Sequence, residues 1–254
     1  MSRITRTITL LLVFLLAASV GYLSAQRVNA SEIIAKINAG EAVSYTGVTI
    51  VGDLDMTKLD NTREAGFENK GKEFLAVVRV PLRFVDCTFE DKVLGYVSNN
   101  GMGWNSGNNP VYNTDFREAV VFENCRFEDD AHFKYSEFNE GASFRGSEFR
   151  DDALFKYSDF REAADFSDVR FRDANFKYTE FPRGVTFAGA RFRGDATFKY
   201  TELRQEVSFA GAIFEGEANF KYIKFPAGTN LTNTSFGRHT DFKYATLGGK
   251  KFSR

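Results

Sequence analysis

From Phe116 to Leu247 a large apolar residue recurs at alternating steps of five and six residues. The run goes Phe116, Phe122, Phe127, Phe133, Phe138, Phe144 and on to Phe236, Phe242 and Leu247. One step, Phe171 to Phe176, is five where six is due. A longer period lies over it. The tripeptide Phe-Lys-Tyr begins at Phe133, Phe155, Phe176, Phe198, Phe220 and Phe242, every 22 residues and once every 21. A helix needs an apolar period near 3.6 and a flat strand a period of 2, so neither accommodates this spacing. A coil with four short sides does. Each side turns one large residue to the axis and bends before the next, and four sides use 22 residues. Repeats of this length are the mark of a solenoid.

The residue two before each large one supports the coil. It is Ala131, Ala153, Ala174, Ala196 and Ala218 on the first side, and Ser136, Ser158, Thr179 and Thr201 on the second. On the third it is Ala142, Ala164, Val185 and Val207, and on the fourth Ser147, Val169, Ala190 and Ala212. All are small or β-branched, as a second inward position beside a Phe requires. Read in fives, the chain gives Ala174-Asn175-Phe176-Lys177-Tyr178 and then Thr179-Glu180-Phe181-Pro182-Arg183. This resembles the pentapeptide-repeat proteins, closely over Val111 to Leu247 and more loosely over Val43 to Phe89. The resemblance implies an all-β fold, a right-handed quadrilateral β-helix. The departures are the preference for Phe and the extra residue on alternate sides.

The remaining segments read as additions to that coil. Residues 1–30 read as a targeting segment: Arg3 and Arg6 precede an uncharged stretch from Thr7 to Ala25. A basic start before an apolar middle describes an export signal. Cleavage could follow Ala25 or Ala30, with Val28-Asn29-Ala30 fitting the small-residue rule slightly better, while an uncleaved membrane anchor through 7–25 is the rival reading. Ser31 to Gly40 reads as a short helix capping the first coil, with Ser31 as N-cap, Gly40 as stop and Ile33, Ile34 and Ile37 on one face. The solenoid is expected over 43–247, with polar loops at 60–73 and 90–110. The second loop is a 16-residue insertion, because Phe84 and Phe122 lie 38 apart, and it carries the only Trp, Trp104. Residues 248–254 form a basic tail with no capping helix, so the last coil is expected to be bare and to pair tail to tail in a homodimer.

Composition excludes more than it assigns. The formal net charge is −1 with 33 basic and 34 acidic residues, so no global field recruits nucleic acid. The 28 Phe are accounted for by the axis and need no cofactor. His132 and His239 lie several coils apart. No metal-ligand spacing, Ser-His-Asp set or phosphate loop is present in the pattern, so neither metal, cofactor nor enzyme activity is expected.

Candidate surfaces follow from the register. Tyr135, Tyr157, Tyr178, Tyr200 and Tyr222 stack beside a lysine column (Lys134, Lys156, Lys177, Lys199, Lys221 and Lys243). Glu137, Asp159, Glu180 and Glu202, just past the corner, are expected to offset the lysines. Arg150, Arg170, Arg172, Arg191 and Arg193 interleave with acids on the fourth side. Ala188, Gly189, Ala210 and Gly211 leave part of the third side bare, and Trp104 on its loop is a further candidate for the interaction surface. Cys87 and Cys125 fall at equivalent inward positions one coil apart. That spacing suits a disulfide, and it equally suits two ordinary small core residues. The expectation is an exported, non-enzymatic scaffold meeting a protein partner at the cell envelope. The alternative comes from the resemblance: some pentapeptide-repeat proteins mimic DNA with an acidic surface and bind DNA gyrase, a role that calls for a cytoplasmic location.

Overall fold

The computed structural model describes residues 25–65, 72–98 and 110–252. Most of the segment read as signal or anchor, and Trp104 with its loop, lie outside the described residues. Among the described residues no helix is long and apolar enough to cross a membrane.

The chain winds as a four-sided parallel β-helix, right-handed as crossovers between parallel strands are. Most sides are two-residue strands hydrogen-bonded to neighbouring coils, while the first coils use longer ones such as Val43–Thr46 and Glu73–Val78. Glu137–Phe138 pairs in parallel with Asp159–Phe160 on the second side, and Ala142–Ser143 with Ala164–Asp165 on the third. On the fourth, Arg126–Phe127 pairs with the start of Glu148–Leu154. The register places Phe on Phe. The first-side rings of Phe133, Phe155, Phe176, Phe198, Phe220 and Phe242 stack at 5.0–5.3 Å between centroids. Rings of opposite sides meet edge to face, as first-side Phe155 and third-side Phe166 do at 5.3 Å and 81°, an arrangement aromatic quadrupoles favour. Phe133, Phe155, Phe176 and Phe198 are fully buried.

The small inward residues close the backbone ledger. Ser158 Oγ donates to the Phe133 carbonyl at 2.5 Å, Thr179 Oγ1 to Phe155 and Thr201 Oγ1 to Phe176, each at 2.7 Å. Their hydroxyls therefore sit in the core without being orphaned.

The irregular step is a bulge. Phe149 pairs with Phe171 but Asp152 pairs with Asp173, so the coil with one residue more absorbs it at the corner between the fourth and first sides. There Glu148–Leu154 and Arg170–Asn175 run unbroken round the bend.

The N-terminal lid is present with shifted bounds. The helix spans Ala30–Ala39, its N-cap is Asn29 and not Ser31, and Gly40 ends it at φ 74°. Ile33 and Ile37 are buried against the first coil and Ile34 is partly buried. Before the helix, Arg27–Asn29 pairs in parallel with Thr49–Val51, Val28 is buried, and Arg27 donates to Glu90 at 2.8 and 2.6 Å. The solenoid therefore begins inside the segment 1–30.

Both expected loops contain ordered structure. Within 60–73, Arg63–Glu64 pairs antiparallel with Glu73–Val78. The insertion begins later than 90: Val93–Leu94 pairs with Ala131–His132, so that coil continues to Gly95. A Cβ on Gly95 would lie 3.3 Å from the Phe133 ring, which leaves no room for a Phe there. Tyr96–Ser98 then leaves as one arm of an antiparallel hairpin with Val111–Phe116.

The C-terminal coil is not bare. Gly248 and Gly249, at φ 56° and 78°, turn the tail back so that Lys250–Lys251 pairs antiparallel with Thr246–Leu247. Phe252 then lies over the end of the axis, 4.4 Å from the Phe242 ring and 5.6 Å from Phe225. The surface on which a tail-to-tail dimer was expected is occupied by the chain's own tail.

Candidate functional site: a tyrosine and lysine stripe

The corner after the first side is a tight turn, Phe-Lys-Tyr followed by Ser or Thr on four coils and by Ile223 and Ala245 on the last two, closed by Ser136 N to Phe133 O at 3.2 Å and its equivalents. Its third residue must be left-handed, a conformation that favours Gly or Asn. Here it is Tyr on every Phe-Lys-Tyr coil: Tyr135, Tyr157, Tyr178, Tyr200, Tyr222 and Tyr244 all have φ between 60° and 64°. The corner after the third side has the same geometry and uses residues suited to it: Asp86, Asn124, Gly146, Asp168, Gly189, Gly211 and Asn233. The glycines of the bare patch are thereby explained. Gly189 and Gly211 are turn residues at φ 69°, exposed beside the half-buried Ala188 and Ala210.

The six tyrosine rings form a continuous stack at 4.7–5.2 Å, 3–24° from parallel. Tyr96, from the hairpin, adds a seventh ring edge-on to Tyr135 at 5.9 Å. Packing within the stack, then Tyr222 and Tyr178, raise the Tyr200 hydroxyl above its ordinary pKa. Five of the six lysines fold over the tyrosine that follows them: Lys134, Lys156, Lys177, Lys199 and Lys243 hold Nζ 4.6–5.1 Å from that ring's centroid. Lys134 also donates to the Tyr96 hydroxyl at 3.0 Å.

Among the described residues, the neighbouring acids stand beside the lysines without forming ion pairs to them. Glu137, Asp159, Glu180 and Glu202 do form a column, but arginines claim it. Arg161 bridges Glu137 at 3.2 Å and Asp159 at 3.1 Å, Arg117 reaches Glu137 at 3.7 Å, and Arg204 holds Glu202 at 2.9 Å. Lysines do not reach across because the turn aims them back along the ring column. Burial raises Asp159 and Glu180 above the usual carboxylate range. In the lysine column, Lys221 bonds Asp241 at 2.8 Å. Among the described residues, Lys156, Lys177, Lys199 and Lys243 have no carboxylate within 4 Å.

A groove of about 590 Å³ runs beside the stripe, lined by Tyr178, Tyr200, Tyr222 and Tyr244 and by Glu202, Arg204 and Lys224. Lys224 stands where the preceding coils carry an acid, so this end of the groove is basic.

The other candidates resolve as surface or core. On the fourth side Arg150 bridges Glu128 at 3.1 Å, Arg172 bridges Asp151 at 2.8 Å, and Arg191 pairs with Glu215. Cys87 and Cys125 are free, buried thiols on adjacent coils, with no disulfide between them. Hydrogen bonding with Cys87 and then burial push the Cys125 thiol up. His132 lies beside Asp130 and Asp152, with ligand atoms within 4.8 Å of one another, a grouping the sequence spacing did not reveal. Lys92 donates to Asp130 there at 2.6 Å, and burial lowers the His132 pKa.

A family model described as pentapeptide repeats (9 copies) matches the chain over residues 112–159, 133–180, 155–202 and 176–224. A search of curated proteins finds no match.

Proposed function

From the premise that its repeat region belongs to the pentapeptide-repeat family, we propose that the chain is an exported, non-enzymatic scaffold that presents rigid outer columns to a protein partner at the cell envelope. The family match supports a repeat scaffold or interaction role. The observation that carries the reading is the division of the repeat. Its large residues go to the axis, while the same outward side chains recur coil after coil on a surface whose backbone is pinned above and below. Such a surface is suited to holding a partner and not to closing around a substrate. The basic start and apolar stretch from Thr7 to Ala25 support export or anchoring. The DNA-mimic alternative needs a continuous acidic face; arginines bridge Glu128, Glu137, Asp151 and Glu202, which leaves Asp152, Asp173, Asp195 and Glu217 as a single acidic column.

The test is cell fractionation of the full chain followed by photo-crosslinking from position 188 on the third side. Recovery with the envelope, and an adduct with a single protein, support the scaffold. Soluble full-length chain in the cytoplasm overturns the location and favours the alternative.

A further inference from the structure

The tyrosine column places an aromatic residue in a left-handed turn six times over, although the equivalent corner of the same coils uses Asp, Asn and Gly. A bulky residue there is a true outlier, and such outliers concentrate at functional sites. The lysine column beside it sets like charges one coil apart, about 4.8 Å by strand spacing, and three of the four adjacent acids, Glu137, Asp159 and Glu202, are paired with arginine. Two unfavourable features therefore recur together on every coil of the repeat. We propose that the stripe and its groove bind a linear anionic polysaccharide lying along the solenoid axis; this rests on the scaffold reading and names a ligand for one corner.

Three observations select that ligand. First, the Lys-over-Tyr pair recurs on five of the six coils, Lys221 turning instead to Asp241, so the stripe suits a polymer of identical units; a folded protein of mixed sequence would not call for five copies of one pair. Second, the groups facing outward are ammonium and phenol donors, at Lys199, Lys243, Tyr200 and Tyr222 and, across the groove, at Lys224, while Arg204 there is shared with Glu202, the one acid of the lining. These match one carboxylate and several hydroxyls per sugar, and a sugar ring is comparable in length with one coil. Third, nucleic acid fits poorly. Single strands bind by stacking bases on open aromatic faces, but these faces are closed against one another at 4.7–5.2 Å. A duplex needs a broad basic surface, but the stripe is one lysine wide. Acids flank it on both sides, at Asp159 and Glu180 and at Asp173 and Asp195.

Affinity electrophoresis of the full chain tests this, with gels containing polygalacturonate, neutral dextran or polyuridylate. Polygalacturonate should retard the chain, less so as salt is raised, and dextran should not. Lys224→Glu restores the acid that earlier coils carry and should weaken binding roughly tenfold or more. Tyr200→Asn suits the left-handed turn and should weaken binding comparably without lowering the urea midpoint. A ladder kept only for stability would show the reverse, a lower midpoint with unchanged binding. Equal retardation of Lys224→Glu and the parent overturns the inference even if Tyr200→Asn fails to fold. So does stronger retardation by polyuridylate. A chain that ignores polygalacturonate yet still cross-links its protein partner from position 188 overturns this inference and leaves the scaffold reading standing.

Discussion

Phe252 stacks on Phe242 at 4.4 Å between ring centroids, 26° from parallel, and so continues the first-side phenylalanine column by one ring beyond the last coil. The contact depends on the Gly248-Gly249 turn and on the Phe252 N–H, which donates to the Ala245 carbonyl at 2.9 Å. Phe252→Ala should lower stability by about 1–3 kcal/mol, less than a fully buried Phe because the ring is only partly covered. It also uncovers Phe242 and Leu247. Light scattering should then show concentration-dependent dimers for Phe252→Ala, through the isologous end-to-end contact, at concentrations where the parent chain remains monomeric. A parent that is dimeric at every concentration would show that the tail does not seal the end.

The inward assignment predicts a sharp contrast between neighbours. Phe176 is fully buried and stacks on Phe155 and Phe198 at 5.0 and 5.1 Å. Phe176→Ala should cost roughly 3–5 kcal/mol, part of it for the cavity left on the axis. Lys177→Ala, one residue on, should cost about 0.5 kcal/mol. Equal losses in urea denaturation would contradict the register of the whole column.

Most of this register was legible before any coordinates, because the period of the phenylalanines is the period of the coil. Even the irregular step at Phe171 to Phe176 marks a real bulge. What the repeat could not reveal lies where the period stops. Gly95 ends a coil because Phe133 fills the space a side chain would take. Arg27–Asn29 and Lys250–Lys251 are strands only because they add to an edge already formed, and three or two residues carry no pattern of their own. The tyrosine, lysine and acid columns were visible, but not which of them pair. That depends on the turn, which points Lys back over Tyr and leaves the acids to Arg117, Arg161 and Arg204.

A pH dependence follows from Asp159, whose carboxyl burial raises above the usual range. One of its oxygens is buried without a hydrogen-bond partner. A raised acid binds more protons folded than unfolded, so its effect on stability is most favourable below the unfolded pKa. Stability is then lost as pH rises through the folded value. Asp159→Asn removes that titration while keeping the shape. The variant should be the more stable at about pH 7, and its advantage should shrink as pH falls toward about 4. A urea-midpoint difference that stays constant across this range would show that Asp159 does not titrate differently in the folded chain.

The strand Arg27–Asn29 bears on where any processing of the N-terminal segment can occur. Cleavage after Ala30 would remove Val28 from the core, the Arg27–Glu90 ion pair and the edge pairing to Thr49–Val51. It would also take away Ala30 and Asn29, the start of the lid helix. Cleavage after Ala25 spares all of these. Burying a Val side chain alone is worth about 1.5 kcal/mol or more, and each edge hydrogen bond lost adds about 1 kcal/mol. A chain beginning at Gln26 should therefore match the longer protein in thermal unfolding, while one beginning at Ser31 should unfold several degrees lower. If the chain is processed on export, N-terminal sequencing of the mature protein should read Gln26-Arg27-Val28. A mature protein starting at Ser31 with undiminished stability would mean that this strand contributes nothing to the fold.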